Sequence, residues 1–446
     1  MKSLFFLFIL FMSSTSISQI EDEQFIRKIF DEALTNQQAY KNLKVLCKQI
    51  GHRLSGSPAA NKAIKWGEDY FKSINADTVW KQKLLVNNWK RGAPEIAYIE
   101  VKSKKLKIKI KALGGSIATN KKGLSAQVIE VKDISELKNT AKELIEGKIV
   151  FINKPMDPKK IKTFRAYGAC FSQRYNGAVE VAKKGGVGLL LRSLSLSDDH
   201  EPHTGSMTYI DSINKIPAAA IGTRTADSLH RFLKHHEVSA YLKMTCKQEK
   251  DTSSFNVIGE LMGSAFPQEY IVVGGHLDSW DVGEGAHDDG AGCVQSMEVI
   301  RLFKTLNYKP KRSIRAILYM NEENGNAGGK EYAQNVKTKK EKHIAAIESD
   351  RGGFTPRGFT YESSAKQKIN FKAWEKLLSP YGISFIEPGF SGVDIRPLKP
   401  NGTLLFGYEP DSQRYFDYHH SDKDVFEAVH PRELSLGAAC MASLEA

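Results

Sequence analysis

The sequence predicts an α/β protein built on a parallel sheet flanked by helices and interrupted by a second αβ unit. Three observations predict it. Apolar runs end in polar residues and feed segments of helical spacing, as in IVVGGHLD (271–278), SIRAILYMNEE (313–323) and HIAAIESD (343–350). Short strands feeding helices are the pattern of a parallel sheet, whose sites gather at the carboxyl ends of the strands. The same alternation returns between about 123 and 243, in SAQVIEV, GKIVFIN, an Ala-rich helix around 177–184, GGVGLLLRS and KIPAAAIG. Finally, 446 residues exceed the ~100 to 200 of one domain and can bury a substantial core.

The chain opens MKSLFFLFILFMSSTSISQ, one Lys, an apolar core and then small polar residues, the layout of a signal peptide over 1–18 with cleavage near Ser18-Gln19. That core is shorter than the roughly 20 residues a membrane span needs, and no later run is longer. The reading is an exported protein, secreted or periplasmic, without stable membrane insertion. EDEQFIRKIFDEALTN has helical apolar spacing, a second helix starts near Ala39, and a third follows a loop at Gly51 to Pro58. A β-rich stretch runs from Asp77 to about Leu113. Within it, KKLKIKIKAL (104–113) alternates Lys with Leu and Ile, which reads as the polar face of a strand rather than a nucleic-acid stripe. The net charge of +13, or +12 without Lys2, is therefore assigned to solvated faces, and no nucleic-acid partner is expected. Five scattered Cys form no disulfide scaffold. The simplest division joins 19–118 and 250–446 into one unit, with 119–249 inserted between them.

Chemistry concentrates in 270–350 and in one later loop. IVVGGHLDSWDVGEGAHDDGAG (271–292) delivers His276 and Asp278 at a strand end, then Asp288 and Asp289 ahead of a helix. The next strand ends at Glu322 and Glu323, the third at Glu348 and Asp350, and YFDYHHSDKDVF (415–426) adds His419, His420 and Asp424. Imidazole and carboxylate without thiolate is a ligand set for zinc.

GGHLDSW, GAHDDGAG, NEENG, ESD and HHSDKD, in this order, resemble the co-catalytic di-zinc exopeptidases, and among them the carboxypeptidase Q group. The resemblance spans the mature chain. It implies a zinc-exopeptidase sheet flanked by helices, an inserted protease-associated domain in the middle, and two zinc ions per chain. Carried over residue by residue, it gives one zinc to His276 and Asp350, the other to Glu323 and His420, and Asp288 to both. Glu322 becomes the general base and Asp278 the residue that orients His276. It further implies a carboxypeptidase or dipeptidase acting on short peptides, and a homodimer. The same architecture serves aminopeptidases.

Bland readings stand beside several of these. Asp288 and Asp289 compete for the bridging and helix-capping roles. Glu348 competes with Asp350, and His419 with His420, His419 otherwise standing beside the scissile carbonyl. Asp424 is either a partner behind the ligands or a loop carboxylate. In EPGFSGVDIRPL (387–398), Ser391, Gly392 and Asp394 either contact substrate or form a surface turn. Arg351 either binds a substrate carboxylate or pairs with Glu348. Two other classes remain: a binding ectodomain of this fold, against which the full ligand set counts, and a single-zinc glutaminyl cyclase, against which the five ligands and the middle unit count.

Overall fold

Two eight-stranded sheets organise the protein, whose computed structural model describes residues 20–363 and 370–446. The candidate signal segment lies outside the described residues. The main sheet runs, in spatial order, Thr78–Lys90, Lys247–Leu261, Arg312–Tyr319, Phe266–His276, Lys342–Glu348, Leu404–Pro410, Pro356–Glu362 and Phe385–Pro388. Its four central strands, Arg312–Tyr319 to Leu404–Pro410, are parallel.

Successive side chains of a strand point to opposite faces, and here both faces are covered, so the strands read as unbroken apolar runs. Val273 packs with Met297, Leu318 and Ile347, beneath the helices 20–36, Pro58–Ser73, Ala291–Thr305 and Pro431–Glu445. Its neighbour Val272 packs with Ile258, Ile317 and Leu405, beneath Tyr332 and Val336 of the helix Ala327–Lys339. The result is a three-layer α/β/α unit. The loop before Pro58–Ser73 ends as its sequence suggests: Ser57 Oγ accepts the Ala60 N–H at 3.1 Å, and Pro58 opens the helix where no N–H is needed.

The chain leaves this sheet along Thr78–Lys90 and returns along Lys247–Leu261, which pair antiparallel. Everything in the second sheet lies between them. Its order is Lys104–Lys107, Ile96–Val101, Val238–Lys243, Leu124–Val131, Ile149–Ile152, Gly188–Arg192, Ala218–Ile221 and Lys111–Ala112. The strands between 96 and 112, grouped by sequence with the first segment, are thus hydrogen-bonded into the second sheet. The lysine run is not one strand. Lys104–Lys107 is a fully exposed edge, where lysine blunts pairing with other chains, and the backbone leaves the ladder before Lys111.

The longest helix of the second unit, Thr163–Lys183, packs Ala166, Cys170, Ala178 and Val181 on Ile152, Leu189 and Leu191. Its other face turns to the main unit. All five cysteines are buried free thiols. No described helix is long and apolar enough to cross a membrane.

Candidate metal centre

Three neighbouring parallel strands end together and bring the predicted residues with them. His276 is in register with Tyr319, which precedes Glu322 and Glu323, and Gly274 is in register with Glu348, which precedes Asp350. After His276 the chain turns through Gly283 and Gly285, both at φ +60°. A Cβ at Gly285 would stand 2.3 Å from the Ser279 side chain, so only glycine lets the loop fold back. Asp289 then binds the Gly292 N–H at 2.9 Å at the start of Ala291–Thr305 and the His276 N–H at 3.0 Å. Its neighbour Asp288 turns toward the imidazoles.

His276 Nε2 lies 3.1 Å from Asp288 Oδ1 and 3.3 Å from Asp350 Oδ1. His420 Nε2 lies 3.2 Å from Asp288 Oδ2 and 3.1 Å from Glu323 Oε2. Asp288 therefore gives one oxygen to each imidazole. His276 Nδ1 is 3.0 Å from the main-chain oxygen of Asp278. A carbonyl only accepts, so Nδ1 carries the proton, and in the neutral ring Nε2 is a lone pair facing two carboxylates. His420 Nδ1 lies 3.3 Å from the Thr204 carbonyl and 3.4 Å from Arg174 Nη1, and its Nε2 faces two carboxylates as that of His276 does. Buried carboxylates gathered around two imidazoles need positive charge among them, as protons or as metal, and this donor set suits zinc. The residues present fit a metal on either side of Asp288.

Two groups place their donor atoms within 4.8 Å of one another: His276, Asp288 and Asp350, and Asp288, His419 and His420. The His419 ring stacks on His420 with centroids 3.5 Å apart, but its Nε2 stands 3.7 Å from Asp288 Oδ2. His420 is the nearer of the two and also reaches Glu323. Electrostatics follow the geometry. Burial opposes the charge on His420, yet Glu323 and Asp288 raise its pKa to about 9. Burial, then Asp288, lifts Glu323 to about 7. Burial, with Asp350 and Glu323 beside it, holds the Glu322 carboxyl well above its ordinary range.

Asp278 meets the His276 ring through its main-chain oxygen rather than its carboxylate. Its carboxylate is 3.8 Å from His276 Nδ1 and instead binds the N–H groups of Asn321 and Glu322 at 2.7 and 3.1 Å, fixing the next strand end. Asp424 binds the N–H groups of His287 and Asp288 at 2.7 and 3.1 Å, behind Asp288. Glu348 does similar work, accepting from Val393 N and Ile395 N at 2.7 and 2.9 Å.

A cavity of about 460 Å³ opens over Asp288, Glu322, Glu323 and Asp350, lined also by Ser391, Gly392, Arg351, His419 and His420. Asp394 is not in its lining; it is buried, with neither carboxylate oxygen hydrogen-bonded. The Ser391 hydroxyl is 3.1 Å from Glu362 Oε1. Arg351 pairs with Glu409, not Glu348, and donates to the Phe390 carbonyl at 3.2 Å, at the wall of the cavity it lines. Sequence reasoning missed the other wall, which Phe164, Tyr167, Phe171, Arg174 and Tyr175 supply from Thr163–Lys183. Their spacing of three and four is the signal that marks it.

Imidazoles and carboxylates collected over a parallel sheet, with a carboxyl of raised affinity for protons beside them, serve metal-dependent hydrolysis. The model of peptidase family M28 matches residues 256–444. Carboxypeptidase Q of Mus musculus is 32% identical over 465 residues, covering 99% of this chain and 97% of that protein. The crystal structure of a peptidase M28 precursor from Shewanella amazonensis SB2B superposes with a TM-score of 0.91 at 32% identity, covering 96% of each chain. A zinc aminopeptidase from Bacillus subtilis shares the fold, with a TM-score of 0.63 at 20% identity over 91% of this chain and 93% of that one. The chain belongs to peptidase family M28, in the carboxypeptidase Q group of co-catalytic zinc exopeptidases. It is a metallo-exopeptidase, a hydrolase of peptide bonds.

Proposed function

We propose that this chain is an exported di-zinc peptidase that cleaves short peptides as a carboxypeptidase or dipeptidase. The observation that carries it is the Asp288 carboxylate shared between His276 Nε2 and His420 Nε2. His276 and Asp350 would hold one zinc, Glu323 and His420 the other, and Asp288 both. The chemistry zinc supplies when bound is acidification of water and polarisation of the peptide carbonyl. Glu322, at the cavity wall, takes a proton from the attacking water and returns it to the leaving amine. Asp278 fixes the Glu322 main chain, and Asp424 fixes that of Asp288. The middle unit is read as a protease-associated insert, residues 1–18 as a signal peptide that sends the chain outside the cytoplasm, and the working form as a homodimer.

The test is metal content and hydrolysis on one sample, wild type against Glu322→Gln, with dipeptides, amino-blocked dipeptides and aminoacyl anilides. The expected result is about two zincs in both proteins and a loss of about 10² to 10⁴ in rate for the variant. Cleavage of amino-blocked dipeptides marks a carboxypeptidase. Cleavage of anilides marks an aminopeptidase, the activity of solved proteins that share the fold. No metal and no hydrolysis would leave a binding protein instead.

A further inference from the structure

One face of the helix Thr163–Lys183 looks into the cleft, with Phe164 and Tyr167 also packed against Tyr415 and Phe416 of the core. Phe164, Tyr167, Phe171, Arg174 and Tyr175 recur at spacings of three and four, which puts them on one stripe, and all five line the cavity above Asp288 and Glu322. The aromatic residues form a ladder. Tyr167 and Phe171 have ring centroids 6.1 Å apart, and Phe171 stacks on Tyr175 at 5.4 Å and 19°. Phe390, from the main unit, lines the same cavity. Tyr175 is 37% and Phe390 44% exposed, so these rings present apolar surface to water beside the reacting groups. Such surface in a cleft gains about 25 cal/mol for each Å² that a ligand covers.

The charges around the rings restrict what can cover them. The Arg174 guanidinium already sits over Tyr167 and Phe171, 5.5 and 5.2 Å from their centroids, where a basic side chain would otherwise bind. Its N–H groups are directed at the Tyr167 hydroxyl and the carbonyls of Thr204 and Ser206. Arg351 is occupied by Glu409 and the Phe390 carbonyl. Two guanidiniums therefore oppose a basic side chain without being free to receive an acidic one, and the floor of the cleft is carboxylate. We infer that this helix face is the specificity wall of the enzyme, taking a large apolar or aromatic side chain of the peptide. The inference rests on the reading of the cleft as the site of peptide hydrolysis.

The test uses the full zinc-loaded protein and dipeptides in which Ala, Phe, Leu, Lys or Glu is placed in turn at each position beside a constant Ala. The expected result is a preference of about 10 to 200-fold in kcat/KM for Phe or Leu over Ala at one of the two positions, with Lys and Glu poorer than Ala there. Phe171→Ala and Tyr175→Ala should each collapse that ratio toward one, mainly through KM, with zinc content unchanged. Phe171→Leu, which keeps an apolar group at the same point of the helix, should retain part of it, so a partial ratio in a well-folded variant separates lost recognition from lost structure. Equal hydrolysis of Phe, Leu and Ala peptides, a preference for Lys or Glu, or an unchanged ratio in both alanine variants overturns the wall while leaving the peptidase reading intact. Failure of the wild type to cleave any dipeptide overturns both.

Discussion

Thr204 brackets His420 from two sides. Its N–H donates to the His420 main-chain oxygen at 2.9 Å, and its own carbonyl lies 3.3 Å from Nδ1 of the same ring. His420 has φ +60°, a left-handed conformation that costs a residue with a Cβ roughly 1 to 2 kcal/mol, so its neighbours must hold it there. His203 adds a contact of 2.6 Å from Nδ1 to the His419 carbonyl. Thr204 lies between two strands of the second sheet, yet the ring it orients faces Asp288 and Glu323. The second unit thus builds part of the metal centre.

Arg174→Met follows from that clamp. Arg174 Nη1 lies 3.4 Å from both the Thr204 carbonyl and His420 Nδ1, and methionine keeps much of the volume while removing the donors. The expected effect is a 10 to 100-fold weaker zinc affinity at one of the two positions, the size found when groups behind metal ligands are lost. Competition titration with a chromophoric chelator resolves the two binding steps. Two unchanged steps would show that Thr204 holds His420 without Arg174.

Chelation should destabilise the protein, because removing the metal leaves Asp288, Glu323 and Asp350 crowded around two imidazoles at the floor of the cleft. Ligand bound only to the folded state adds stability by mass action, about 4 kcal/mol at a thousandfold excess over Kd. A chelator should therefore lower Tm by several degrees, and zinc should restore it. Asp288→Asn, lacking the charge shared by both sides, should start lower in zinc and shift less on chelation. Differential scanning calorimetry reads both.

The sequence made the main unit legible because its chemistry sits at strand ends, where an apolar run stopping at His or Glu marks position and function together. His276, Glu323 and Asp350 meet because their strands are neighbours in a parallel sheet. The partner of each carboxylate was not legible. The Asp278 carboxylate binds Asn321 and Glu322 and leaves the His276 ring to its own main-chain oxygen, and Arg351 binds Glu409, because such pairings depend on side-chain direction and on strands distant in sequence. The lysine run from 104 misled for a related reason: alternation records which residues are polar, not where a short edge strand stops. Thr204 had no motif to mark it and Arg174 only its helical spacing, since main-chain oxygens do half their work.

Gly392→Ala tests the loop that Glu348 anchors. A Cβ at Gly392 would stand 2.3 Å from the Glu348 carboxyl carbon and 2.5 Å from both its oxygens, while those oxygens hold Val393 N and Ile395 N. Either the carboxylate moves and strands two N–H groups, that of Ile395 buried and that of Val393 half-buried, or the loop is displaced. The expected cost is about 1 to 3 kcal/mol of stability with a raised KM, since Ser391 and Gly392 line the cavity. Urea unfolding and steady-state kinetics measure the two. An alanine variant as stable as wild type would show that the loop yields without strain.

His343 sets an acid limit that is independent of the metal centre. Its side chain is fully buried, with Nε2 2.8 Å from the Tyr332 hydroxyl, and burial together with the nearby Arg315 lowers its pKa from 6.5 to about 4. Above pH 6.5 the ring is neutral whether the chain is folded or not, and it contributes no pH dependence. As pH falls from 6.5 toward 4, the unfolded chain takes up a proton that the folded chain refuses, and stability drops. The full loss is on the order of 3 kcal/mol and is reached below pH 4. His343→Gln keeps a polar group beside Tyr332 but cannot titrate. Its unfolding free energy should therefore fall less than that of the wild type between pH 7 and pH 4, by about that amount. Urea denaturation at the two pH values measures the difference, and equal losses in the two proteins would place the acid sensitivity in other groups.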